Sequence, residues 1–435
     1  MLRATSKGFR THIGLFGRRN VGKSSLLNAI TQQQVSIVSE VPGTTTDLVE
    51  KPMELLPIGP VLFLDTAGID DVGALGKQRI AKTQKAIGRC DIGVLVAEAG
   101  VWGEFEEKLM AELGARGISV VVALNKVDMC RPDIDLLIRF EQEGIKYAKV
   151  TATTAEGLET LRARLAEVAA PAENEAAVIL RDLVGPEETA VLVMPFDKEA
   201  PKGRIKQLQA QSIRELLDGE ACCVAVKETG LARTLGNLMT PPQLVVTDAA
   251  VFEQVAKATP DSIPLTAFSI LLSRLKGDLV AQTRAAVAVE RLKPGDRVLV
   301  AESCTHHPIE EDIGRVKIPR WLQKYIGGEL KFTTVKGREF PEDLSPYKLV
   351  IHCGACMWNR REMMNRIREC HCQGVPITNY GLVIAYSLGI LERALEPFPE
   401  ALVAYKEERQ KYAGSRSLRA TKQHDEVGMR LVSQA

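Results

Sequence analysis

The chain has 435 residues, 45% of them hydrophobic and 26% charged, with 56 basic against 55 acidic side chains. That length points to two or three domains, since single cores stop growing well before it, and the composition is that of a globular protein rather than a disordered or fibrous one. A formal net charge of +1 argues against nucleic acid as the main partner, and no apolar run reaches the roughly 18 residues of a membrane span.

The basic start, Met1 to Arg10 with Thr5 and Ser6, has some character of an organellar leader. A strand from His12 and a phosphate loop from Gly17 leave no room for a removable one, so the cytoplasm is the default. His12–Phe16 reads as a strand, followed by Gly17-Arg18-Arg19-Asn20-Val21-Gly22-Lys23-Ser24 and an amphipathic run over Ser25–Ile30. This is a phosphate-binding G-x-x-x-x-G-K-S loop in its strand–loop–helix context. Gly17 and Gly22 let the backbone wrap phosphates, with Asn20, Val21 and Ser25 completing the loop. Lys23 would reach the β- and γ-phosphates of a nucleotide, and Ser24 would hold Mg2+.

Val61–Leu64 is a strand ending in Asp65-Thr66-Ala67-Gly68. There Asp65 can hold the metal through water, and the Gly68 N–H can meet a γ-phosphate. Gly43-Thr44-Thr45-Thr46-Asp47 is a polar loop able to close a threonine hydroxyl onto the metal. Val120–Leu124 ends in Asn125-Lys126-Val127-Asp128, and Asp128 can accept from both N1–H and the 2-amino group of guanine, which adenine lacks. At Thr151-Ala152 a backbone N–H can complete recognition of guanine O6. Four motifs in this order make residues 1–170 a Ras-like GTPase domain, similar to the bacterial translation- and tRNA-modification-type GTPases. In the GTPases that this region resembles, the G-x-T threonine implies Thr45, with Thr44 and Thr46 left open. Ile69 stands where many relatives orient water with glutamine, so hydrolysis of GTP should be slow. In the GTPases it resembles, K+ coordinated at the position of Asn20 supplies the missing charge; the alternative for Asn20 is a plain turn residue.

Ala169–Ala177, rich in Ala, Glu and Pro, reads as a linker. Residues 171–264 then form a middle α/β domain, with a strand at Val191–Met194, a helix over Lys206–Leu217 and an apolar strand at Ala221–Val226. Cys222 and Cys223 on that strand face opposite ways and read as small buried hydrophobes. With no acid–base constellation, this domain reads as an assembly module whose exposed edge pairs with a second copy into a homodimer.

Residues 265–410 again alternate, with a helix over Leu279–Leu292, strands at Arg297–Ala301, Glu329–Thr334 and Lys348–Ile351, and an amphipathic helix over Arg315–Ile326; 411–435 read as a charged tail. Two of these strands end at Glu302-Ser303-Cys304-Thr305-His306-His307 and at His352-Cys353-Gly354-Ala355-Cys356. Open parallel sheets gather ligands at such strand ends. Nine cysteines without a secretory signal favour reduced thiols or metal ligands over disulfides. Cys304, Cys353 and Cys356, with imidazoles at His306 and His352, suit zinc with three sulfurs and one nitrogen or an iron–sulfur cluster with one differently ligated iron. A thioredoxin-like pair would leave Cys304 and the histidines idle. Cys370-His371-Cys372, near the end of a helix from Arg360, is a spare ligand or an ordinary surface pair. Cys90 and Cys130 read as structural.

The C-x-H motif, then 45 residues, then H-C-x-x-C, downstream of a GTPase domain and a middle module, resembles the FeFe-hydrogenase maturation GTPases, the HydF family. The resemblance spans nearly the whole chain. It implies a 4Fe-4S cluster on Cys304, Cys353 and Cys356, with His306 or His352 occupying or guarding the fourth iron. It also implies a scaffold that receives a diiron precursor from radical-SAM maturation enzymes and delivers it to apo-FeFe-hydrogenase. The rival reading is an RNA- or ribosome-associated GTPase with a structural zinc module.

Overall fold

The computed structural model describes residues 7–32, 49–66, 83–174, 178–195, 205–303 and 312–412. The chain divides into two units, one of Met1–Ala176 with Met357–Asn365 and one of Ala177–Cys356 with Arg366–Ala435. Among the described residues, no helix is long and apolar enough to cross a membrane.

The first unit is built on β1 (Thr11–Phe16), β2 (Val49–Leu55), β3 (Gly59–Asp65), β4 (Ile92–Glu98), β5 (Ser119–Asn125) and β6 (Lys146–Lys149). They form one sheet of order β2-β3-β1-β4-β5-β6. Only β2 runs antiparallel, against β3. Strand periodicity sorts the core into two layers. Ile13 and Leu15 of β1, Val61 and Phe63 of β3, and Val94 and Val96 of β4 pack with Leu26, Leu27, Leu161 and Leu165, from the helices Lys23–Thr31 and Leu158–Asn174. The intervening Phe16, Leu62, Leu64 and Leu95 face Leu109, Leu113, Leu136 and Phe140, from the helices Glu104–Ala115 and Ile134–Gln142. The expected linker is partly wrong: the helix Leu158–Asn174 runs through Ala169 and Pro171, because an alanine- and glutamate-rich run favours continuing a helix already docked.

The second unit holds two four-stranded sheets. One comprises β7 (Thr189–Val193), β8 (Cys222–Val226), β9 (Leu244–Thr247) and β10 (Leu265–Ala267), in the order β10-β9-β7-β8. The other comprises β11 (Arg297–Glu302), β12 (Lys331–Lys336), β13 (Leu349–His352) and β14 (Ile377–Asn379), in the order β12-β11-β13-β14. Every pairing in both is parallel. Val298–Ala301 and Leu349–Ile351 are fully buried, as strands covered on both faces require. β8 is an edge strand, with Cys222 exposed and Cys223 half-buried. The expectation of buried cysteines there fails because β8 ends the sheet and has a neighbouring strand on one side only.

The helix Phe268–Lys276 lies between these sheets in sequence and is held at its start. Asn379 donates from Nδ2 to Ser269 O at 2.7 Å, while its Oδ1 caps Leu382 N of the helix Tyr380–Ser387 at 2.9 Å.

Candidate functional sites

Gly22 caps the helix Lys23–Thr31 with a left-handed φ of 93°, so the first turn, Lys23 to Ser25, opens on the loop as a helix N-terminus suited to an anion. At Gly17 (φ 148°) an added Cβ would lie 2.1 Å from Val96 O, and at Gly22 it would lie 2.2 Å from Asn125 Nδ2. Both positions therefore require glycine. Lys23, 6% exposed, curls over the loop and donates to Gly17 O at 3.0 Å and Arg18 O at 2.6 Å. Its ammonium thus stands where phosphate oxygens would replace those carbonyls.

Ser24 Oγ donates to Asp65 Oδ2 at 2.7 Å, which brings the hydroxyl and carboxylate expected around Mg2+ to one point. This donor pair of hard oxygens fits that ion. Asn125 does more than its motif implied. Its Nδ2 donates to Val21 O at 2.8 Å and its Oδ1 accepts from Ala152 N at 3.1 Å, tying the phosphate loop to both base-recognition loops. Lys126 has a left-handed φ of 61° and pairs with Glu98 at 2.8 Å. Asp128 is exposed, and Thr151 is buried in a bridge with Glu156. Asn20 is exposed with φ 61°, a conformation asparagine tolerates better than most residues. Thr45 with its neighbours, Gly68 and Ile69 lie outside the described residues.

One participant carries no motif signature. Arg18 grips Glu106 with two hydrogen bonds, Nε to Oε1 at 2.7 Å and Nη2 to Oε2 at 3.0 Å, and sits over the Phe105 ring at 4.7 Å. Glu106, 1% exposed, also accepts from Gly103 N at 3.0 Å. This anchors the loop to the start of the helix Glu104–Ala115.

The cysteine site lies past β11 and β13, which run side by side with Ala301 opposite His352. Cys353 N donates to Ala301 O at 2.9 Å. Cys353 Sγ accepts from Ser303 N at 3.1 Å and lies 3.2 Å from Ser303 Oγ. Burial pushes the Cys353 thiol up, and the Ser303 hydroxyl and N–H oppose that rise. Cys304 and His306 lie outside the described residues, yet Ser303, one bond before Cys304, already touches Cys353. No group of three or more possible metal ligands occurs among the described residues. Two soft thiols on one tight loop, with Ser303 of the other motif at hydrogen-bond distance, fit a thiolate-ligated centre.

His352 differs from a ligating imidazole. It is the last residue of β13 and 0% exposed. Nδ1 lies 2.7 Å from Cys353 O and Nε2 lies 2.8 Å from Arg366 Nη1. Burial first, then the Arg366 charge, lowers its pKa to about 3, so the ring is neutral, donating from Nδ1 and accepting at Nε2. Both nitrogens are occupied in the fold. Cys370 is 0% exposed, and burial pushes its thiol up to about 12, whereas Cys372 is exposed. The two therefore do not face one centre. Cys90 is buried, its Sγ donating to Ala86 O at 3.1 Å, and Cys130 is exposed.

This geometry defines a P-loop GTPase domain joined to an α/β region with a cysteine-bearing loop. Family models divide the chain in the same way. A model described as a 50S ribosome-binding GTPase matches residues 12–126, the hydrogen maturase F dimerization domain matches 179–277, and the hydrogen maturase F tetramerization domain matches 280–397. The chain belongs to the hydrogen maturase F (HydF) family. The tetramerization assignment had no counterpart in the sequence analysis.

GTPase Der of Wolinella succinogenes is 34% identical over 151 residues, covering 33% of this chain and 32% of Der. The tRNA modification GTPase MnmE of Carboxydothermus hydrogenoformans is 33% identical over 168 residues, covering 38% and 36%. The chain thus spans about a third of the length of these curated relatives. Among solved structures, Era of Aquifex aeolicus bound to GDP.AlF4- is similar at 19% identity and a TM-score of 0.33, over 50% of this chain and 93% of that one.

Proposed function

We propose that the chain is a GTP-hydrolysing scaffold that carries a 4Fe-4S cluster on Cys304, Cys353 and Cys356, accepts a diiron precursor from radical-SAM maturation enzymes and passes it to apo-FeFe-hydrogenase. The observation that carries this reading is the approach of Ser303 to Cys353 Sγ at 3.1 Å, in a chain whose last two regions match hydrogen maturase F domains.

In the GTPase domain, Lys23 and the first-turn N–H groups bind the phosphates, and Ser24, Thr45 and Asp65 hold Mg2+ directly or through water. Gly68 N–H meets the γ-phosphate, and Asp128 selects guanine. Asn20 holds K+ as the activating cation that compensates for Ile69. In the cysteine site, when bound, a cluster with three thiolate ligands supplies one iron whose remaining position is exchangeable. His306 is the motif histidine that would occupy or guard that position. His352 orients the Cys353 carbonyl and is held by Arg366. Self-association through the exposed edge of β8 gives the homodimer.

The test is anaerobic reconstitution of the full chain and of the Cys304→Ala, Cys353→Ala and Cys356→Ala variants. The expected result is about four irons per chain, a brown chromophore lost in each variant, and activation of apo-hydrogenase by the loaded wild type. Stoichiometric zinc instead of iron in the protein as isolated without oxygen would establish the rival reading.

A further inference from the structure

Lysine is almost never fully buried without partners, yet Lys276 is 3% exposed. It ends the helix Phe268–Lys276, and its Nζ donates to Ala355 O at 3.3 Å and Cys356 O at 3.2 Å. These are the last two carbonyls of the C-x-x-C loop. One turn earlier on the same face, Leu272 fills the space beside Gly354, where an added Cβ would lie 2.7 Å from Leu272 Cδ1. Between these supports Ala355 is held at φ 52°, a left-handed conformation that a residue with a Cβ rarely adopts. The helix is therefore a platform: Leu272 sets how closely the loop approaches, and Lys276 fixes the direction of its carbonyls.

The ammonium also brings a charge. A 4Fe-4S cluster with three thiolate ligands is anionic and gains one further negative charge on one-electron reduction. A fixed cation in a low-dielectric surrounding stabilises the reduced form more than the oxidised one.

We infer that Lys276 is the positioning residue of the cysteine loop and its charge complement, holding Ala355 and Cys356 in a cluster-ready conformation and raising the reduction potential of the bound cluster. The second half of this inference rests on the iron–sulfur reading; the first half does not. Lys276 lies within the region that matches the dimerization domain, and the loop within the region that matches the tetramerization domain. The assembly region and the cysteine loop thus share one side chain.

The experiment compares the full chain with Lys276→Met, Lys276→Gln and Lys276→Arg. In metal-free protein, hydrogen exchange of the amides following Cys353 is expected to be about tenfold faster in Lys276→Met, from loss of charge-assisted hydrogen bonds, and close to wild type in Lys276→Arg. After anaerobic reconstitution, dithionite titration followed by electron paramagnetic resonance should give a more negative midpoint for Lys276→Met and Lys276→Gln. Lys276→Arg should restore it. Failure of Lys276→Met to take up iron, with rescue by Lys276→Arg, also supports the inference. Unchanged exchange and unchanged midpoint in Lys276→Met at equal iron content would overturn it. A wild-type chain that takes up no iron would overturn the charge role together with the cluster reading, while the exchange comparison still decides the positioning role.

Discussion

Replacing Arg18 with alanine tests whether a non-motif position of the phosphate loop is energetically important. Arg18 itself is 34% exposed in its side chain against 2% for Glu106, so the guanidinium gains little from its own burial. The cost lies with Glu106, whose carboxylate would stay buried and lose two charge-assisted hydrogen bonds. Breaking one side of a buried pair typically costs about 3–5 kcal/mol. The surviving bond from Gly103 N to Glu106 Oε2, at 3.0 Å, argues for the lower end, about 3 kcal/mol. For a domain of ~150–250 residues this lowers the melting midpoint by about 6–12 °C.

Scanning calorimetry reads the transition, assigned to the GTPase unit because a GTP analogue raises it. Nucleotide binding should weaken as well, by about tenfold for each 1.4 kcal/mol spent re-forming the loop, because Lys23 donates to Arg18 O at 2.6 Å. The double variant Arg18→Met with Glu106→Leu removes both charges and should recover most of the lost midpoint. A single variant that melts within about 2 °C of wild type, or a double variant no more stable than the single one, would refute the reasoning.

Burial alone would raise the pKa of Glu50, but hydrogen bonds from Lys7 and Arg89 outweigh it and bring the value down to about 2. The folded value lies below the unfolded one, so this contribution, about 1–2 kcal/mol once solvent screening of the half-exposed group is allowed for, is complete above about pH 4.5 and is lost as pH falls towards 2; Glu50→Gln should flatten urea-melt stability across that window. Ala225→Lys places a charge on the exposed face of the β8 edge and should halve the mass of any β8-paired dimer in light scattering; an unchanged mass moves the interface elsewhere. Steady-state GTP hydrolysis should be faster in KCl than in NaCl at equal ionic strength, and Asn20→Ala should abolish the difference. Equal wild-type rates would remove K+ from the mechanism.

The GTPase fold was legible because its signals are local. Glycines at required positive φ, an apolar strand before each motif and period-two burial along β1, β3 and β4 can all be read within a few residues. Asp65 and Ser24 could be paired from their motifs before the 2.7 Å contact was known. The approach of Ser303 to Cys353 follows from an equally local signal, since adjacent parallel strands present their carboxyl ends together. What stayed hidden depends on distant residues with no signature. Glu106 lies 88 positions from Arg18, and Lys276 lies 80 from Cys356. The resemblance implies that His306 or His352 occupies or guards the fourth iron, but which way His352 faces is set by the strand, where side chains alternate. His352 turns into the core, towards Arg366, as Cys353 turns towards Ser303. The edge position of β8 was likewise invisible, because apolar composition does not say which strand ends a sheet.

Both sites follow one physical scheme. Each stands at the carboxyl ends of parallel strands, and each carries fixed donors. Around the phosphate loop the donors are first-turn N–H groups and the Lys23 ammonium. Around Cys353 they are the Ser303 N–H and hydroxyl. The ammonium of Lys276 acts one step further out, on the loop carbonyls. The difference lies in what holds the two lysines. Lys23 borrows the carbonyls of its own loop, which a nucleotide can displace, so its contacts are exchangeable and suit turnover. Lys276 is buried at a helix end whose carbonyl partners belong to the cysteine loop itself, so its contacts are structural and persist whatever that loop binds. The same charge thus serves an exchangeable contact in one place and a permanent one in the other; on the proposed reading, the permanent one suits a loop that retains a bound cluster.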